Sequence, residues 1–162
     1  MTTNDFSARN KPVKSYPWKW LSGETMKGKI FAANMETLDV LRETGFMSPL
    51  KNFEGAILLL ETSENVPSPG IVEVLFRNIG LAGVPDNVNS IDFGRFLGYT
   101  MEMRDKVHSA IQRVLEVEFG IEKIPVVTGV DFGHTDPYFP KPVGIRAEIR
   151  GERIRLLESL TV

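Results

Sequence analysis

The chain has 162 residues, 42% of them apolar and 25% charged, with a net charge of −2 and no cysteine. Such a composition suits one soluble globular domain with a buried core, and the scattered Lys and Arg argue against a nucleic-acid partner. The absence of cysteine excludes disulfides, Cys-ligated zinc and a thiol nucleophile.

The longest apolar run, Ala56 to Leu60, is too short to cross a bilayer, and the N-terminus lacks the apolar segment of a signal peptide. We therefore expect a soluble, cytoplasmic protein without membrane contact. Residues 1–22 read as a tail or linker, with Arg9, Lys11, Lys14 and Lys19 against Asp5, and residues 23–162 as the domain. Trp18 and Trp20, in the run PWKW, are expected to anchor the tail on the core, with ligand contact as the alternative.

Gly28 to Ala33 reads as a short strand, and Asn34 is placed to cap a helix over Met35 to Thr44 that stops at Gly45. Ala56 to Glu61 is an apolar strand ending on an acid, followed by the polar loop Thr62 to Asn65. Ser68 and Pro69 open a second helix whose apolar positions Ile71, Val74, Leu75, Ile79 and Ala82 keep helical spacing until Gly83. Ser90 to Phe93 reads as another strand, leading into Gly94 and Arg95. A third helix, Met101 to Phe119, buries Val107, Ala110, Ile111, Val114 and Leu115 and ends at Gly120. Ile124 to Thr128 is a buried strand, and Gly129 to Thr135 a compact polar turn carrying His134. Gly144 to Ile149 and Arg153 to Leu157 form a terminal hairpin around Arg150, Gly151 and Glu152. The order predicts an α/β fold: one mixed sheet with flanking helices and a C-terminal hairpin.

Two strand ends thus offer Glu61 and His134, a carboxylate and an imidazole that it could orient and charge. No serine among the nine lies in a Gly-x-Ser-x-Gly elbow, and Ser63 sits in an ordinary loop, a poor nucleophile. Asp131, His134 and Asp136 compete as metal ligands, although two histidines in the whole chain disfavour zinc, and no metal or other cofactor is expected. His108, three residues after Asp105, is expected to be a solvated surface residue. The triplet Asp131, Phe132, Gly133 has none of the kinase motifs around it.

Several segments together resemble the LD-carboxypeptidase and microcin-immunity family of serine peptidases: AANMETL (32–38), EGAILLLETSE (54–64), the strand leading to GRF (94–96) and IPVVTGVDFGHTDPYFPKPVGIRAEI (124–149). The resemblance implies the family's C-terminal domain alone, a swivelling β/β/α-like unit, with Glu61 as triad glutamate and His134 as triad histidine. Glu64 belongs to the following loop and is not the triad acid. The nucleophilic serine and oxyanion hole would lie on an N-terminal domain absent from this chain, which makes that domain its expected partner and the chain inactive alone. The implied substrate is an amide next to a free carboxylate, such as the L,D link of a murein tetrapeptide or a peptide-nucleotide bond. Weaker substrate contacts are expected at Trp18, Trp20 and Asn34. Where the family usually has two glycines before the asparagine, this chain has Ala32 and Ala33, which puts side chains where a backbone could need to approach. A surface left bare by the missing domain predicts an apolar patch and self-association, with a homo-oligomer expected. The competing view is a non-catalytic binding or dimerisation domain that retains the fold.

Overall fold

A computed structural model describes residues 16–136 and 138–159; Arg9, Lys11 and Lys14 lie outside the described residues. The strands are β1 (Lys19–Ser22), β2 (Thr25–Asn34), β3 (Ile57–Glu61), β4 (Ser90–Gly94), β5 (Val126–Val130), β6 (Arg146–Arg150) and β7 (Arg153–Leu156), and the helices α1 (Met35–Arg42), α2 (Pro69–Leu81) and α3 (Met101–Gln112). A π-helical stretch, Arg113–Glu118, continues α3, so the expected third helix is present with a widened end.

All seven strands join one sheet in the order β1-β5-β4-β3-β2-β6-β7. Its centre, β2 to β5, is parallel, because α1, α2 and α3 each supply a crossover between consecutive strands. Antiparallel strands flank both ends. The apolar run of β3 follows from burial on both faces: Leu58 and Leu60 pack towards the helices, Ile57 and Leu59 into a second core on the opposite face.

That second core exists because the sheet curls. The Trp18 backbone N–H donates to Glu152 Oε1 at 2.9 Å and Trp20 Nε1 donates to Gly151 O at 3.1 Å, so the β1 end of the sheet meets the β6–β7 turn. Inside the curl lie Met26, Ile30, Ile57, Leu59, Val127, Val130, Phe132, Ala147 and Ile149, with Trp18, Trp20, Ile154 and Leu156 packed against them.

Three details differ from the sequence reading. Lys19–Ser22, expected at the end of the tail, is a strand paired with β5. Helix α1 ends at Arg42, where Thr44 Oγ1 donates to the Leu41 carbonyl and closes the helix before Gly45. In α2 the buried stripe is Val72, Leu75, Phe76 and Ile79, while Ile71 and Val74 stand half exposed. Phe76 decides that rotation by packing edge-on against Phe93 of β4, ring centroids 5.2 Å apart. Among the described residues no helix is long and apolar enough to cross a membrane.

Candidate active site

The site lies at the C-terminal ends of the parallel strands, where open α/β sheets usually bind ligands. Parallel pairing puts Asn34, the last residue of β2, in register with Glu61, the last of β3. Asn34 Nδ2 donates to Glu61 Oε1 at 2.9 Å, and its Oδ1 accepts from the Thr37 backbone N–H at 2.9 Å, capping α1. One asparagine thus ties a helix start to a carboxylate.

His134 arrives on the loop after β5, with Nδ1 at 2.6 Å from Glu61 Oε2. Gly133 permits the approach: its φ is +94°, and a Cβ there would lie 3.1 Å from both Glu61 Cβ and Oε2. The hydrogen bond to Glu61 and that carboxylate's charge outweigh desolvation and raise the His134 pKa above its ordinary 6.5. The Glu61 side chain is 15% exposed and the His134 ring 44%, so the acid is sheltered and the imidazole faces outward. His134 Nε2 lies 3.3 Å from Glu64 Oε2; Glu64, set aside in the sequence, contacts the far nitrogen while Glu61 holds the near one.

A cavity of about 430 Å³ adjoins the pair, lined among others by Ala32, Ala33, Asn34, Leu59, Phe132 and Lys141. Strand alternation turns the Ala33 side chain towards the helix-side core and the Ala32 side chain to the opposite face. Trp18 and Trp20 are not among its lining residues; they close the curl, and Trp18 Nε1 donates to Asp131 Oδ2 at 3.4 Å. Ser63 is engaged elsewhere, its N–H and Oγ both donating to Glu36 Oε1, at 3.0 and 2.7 Å. Asp131 is paired with the Arg95 guanidinium. Among the described residues no group of three or more His, Cys, Asp or Glu side chains is placed to hold a metal.

His108 is a correction: it is buried, not solvated. Its Nε2 lies 2.9 Å from Thr128 Oγ1 of β5, and burial, with Lys19 and Arg104 adding positive charge against Asp105, pushes its pKa down to about 4. Lys141, which lines the cavity, and Asp92, fully buried in β4, escaped the sequence reading. The available signals were an acid inside the apolar strand of β4 and a lysine within the Pro-rich segment FPKP.

The model of the LD-carboxypeptidase C-terminal domain family matches residues 27–149. The chain belongs to this family. Its LD-carboxypeptidase kinship extends to a Vibrio cholerae protein whose name proposes a carboxypeptidase, 27% identical over 143 residues, covering 86% of this chain and 40% of that one. The microcin C7 self-immunity protein MccF of Escherichia coli is 28% identical over 125 residues, covering 76% and 34%. Among solved structures, MccF in complex with glutamyl sulfamoyl guanosine superposes with a TM-score of 0.74 at 25% identity over 93% of this chain and 44% of that one. An MccF-like protein from Streptococcus pneumoniae, in complex with AMP, gives 0.73 at 23% identity over 96% and 49%. The chain spans less than half the length of each of these relatives, and it corresponds to the C-terminal domain of this serine peptidase family.

Proposed function

We propose that this LD-carboxypeptidase domain supplies the glutamate and histidine of a serine hydrolase that cleaves an amide next to a free carboxylate. The observation that carries the proposal is the 2.6 Å contact between His134 Nδ1 and Glu61 Oε2. With its Nδ1–H donated to Glu61, the neutral imidazole keeps Nε2 as the basic nitrogen. That nitrogen takes the proton from an attacking serine and returns it to the leaving amine, while Glu61 stabilises the imidazolium in between. Glu64, 68% exposed, swings aside as the serine hydroxyl takes its place.

The serine and oxyanion hole come from an N-terminal nucleophile domain outside these residues. Tyr138, Phe139 and Val143, all exposed on the His134 loop, offer that domain an apolar docking edge. A murein L,D-tetrapeptide or a peptide-nucleotide is the substrate class, and the aminoacyl-nucleoside analogue held by MccF supports the second. A non-catalytic binding or dimerisation role is not favoured, since it requires no sheltered carboxylate against an exposed imidazole.

The test is hydrolysis of a murein L,D-tetrapeptide by this domain joined to its nucleophile domain. Glu61→Gln should lower kcat by about 10⁴, because the amide no longer favours the productive tautomer. Serine-reagent-sensitive cleavage by the 162-residue chain alone would place the nucleophile inside it and overturn the division of labour.

A further inference from the structure

Among the described residues the inside of the curl is largely apolar, and in its middle lies a carboxylate with no hydrogen-bond partner. In β4 the neighbours Ile91 and Phe93 pack towards the helices, so Asp92 between them faces the second core, in register with Leu59 of β3 and Val127 of β5. Asp92 is 0% exposed, and neither carboxylate oxygen meets a hydrogen-bond donor among the described residues.

Lys141 comes from the opposite side, on the loop that also carries His134. Its Nζ lies 4.7 Å from the ring centroid of Phe139, 5.3 Å from Phe132 and 6.0 Å from Trp18. The ammonium is buried and has no acceptor among the described residues. Burial drives both groups towards neutrality, Asp92 upwards and Lys141 downwards, and each one's charge opposes that drift in the other.

Stability gives a poor reason for such an arrangement. Apolar side chains of similar volume are often neutral or stabilising in place of a buried charge pair, whereas removing one member leaves an uncompensated charge. What opposite charges add is a preferred position. The loop is otherwise tied by Phe132 in the second core, by the Phe139 N–H donating to Asp131 O at 2.8 Å and by the Gly144 N–H donating to Ile30 O at 2.8 Å. Lys141 lies between the last two ties and reaches inward.

We propose that Lys141 and Asp92 are positioning residues, whose facing charges inside the curl draw the loop between β5 and β6 onto the sheet and so seat His134 against Glu61. This deepens the catalytic proposal and rests on it for the purpose served, but its test needs no catalysis. In the intact 162-residue chain, an NMR titration reads the His134 midpoint and the downfield Nδ1 proton held by Glu61. A wild-type midpoint at the ordinary imidazole value, without that proton, would defeat the Glu61–His134 site itself, whatever the variants do.

Given the wild-type signature, Lys141→Met should lower the midpoint to about 6.5 and abolish the downfield proton, and Lys141→Arg should restore most of both. The sign is diagnostic, because loss of a nearby positive charge without movement of the loop would raise the midpoint, with Glu61 and Glu64 still facing the ring. The paired variant Asp92→Leu with Lys141→Met removes both charges; it should melt at or above the wild-type temperature and still lose the His134 signature. Retention of the signature in the folded double variant overturns the proposal. Failure of the double variant to fold also overturns it, by assigning the pair to folding.

Discussion

Replacing Gly133 by alanine puts the closest contact of the site under strain. The position has φ +94°, where an L side chain costs about 1–2 kcal/mol. Its new Cβ would sit 3.1 Å from Glu61 Cβ and Oε2, so Glu61 must retreat by a few tenths of an ångström and loosen the 2.6 Å bond to His134. At roughly 2–4 °C per kcal/mol for a domain of this size, Tm should fall by about 2–8 °C. Gly144 provides the control: its φ is +84°, yet nothing lies within 4 Å of a Cβ there. Both alanine variants should lose stability in calorimetry, but only Gly133→Ala should bring the raised His134 pKa down in an NMR titration. Indistinguishable His134 titrations for the two variants would refute the idea that Gly133 exists to admit Glu61.

Other consequences are as direct. Phe53 is 0% exposed and lies 4.3 Å from Phe31 between ring centroids, so Phe53→Ala should destabilise the fold by about 3–5 kcal/mol in urea unfolding. Asn34→Ala removes the α1 cap and a donor on Glu61, and should cost about 0.5–2 kcal/mol in the same assay. For His108, whose folded pKa is depressed to about 4 from 6.5, the unfolded chain takes up the proton first on acidification; its contribution is full above pH 6.5 and fades between 6.5 and about 4. Urea midpoints at pH 7 and 5 should therefore converge in His108→Gln relative to wild type. His134 has the opposite sign, since its folded pKa is raised: its contribution is full below 6.5 and is lost as pH rises through the folded value. Glu61→Gln should remove that alkaline loss from the urea midpoints.

Much of the site was legible because its parts are local. An apolar run ending on an acid marked β3 and Glu61, and Asn34 before a periodic stretch announced the cap that the Thr37 N–H confirms. His134 stood out in a turn rich in Gly and Asp. Other features had no local signal. The strand KWLS pairs with β5 across more than a hundred residues of sequence, and nothing in four residues indicates that pairing. His108 lies one step off the apolar stripe of α3 and reads as surface; it is buried because Thr128 of β5 faces it. Similarly, helical spacing allowed Ile71 and Val74 into the α2 stripe until the contact of Phe76 with Phe93 settled the rotation.

Periodicity, caps and motifs within short windows carry the existence and order of the helices and inner strands, the acid and imidazole at two strand ends, and the likeness to a peptidase family. How the sheet closes follows from contacts between segments far apart in the chain. Curling brings Trp18 and Trp20 onto the β6–β7 turn and makes an inside from what would otherwise be an open face. Asp92 of a central strand and Lys141 of the loop after β5 both turn into that inside, because a side chain from that loop and one from the middle of the sheet share a core only when the sheet bends one over the other.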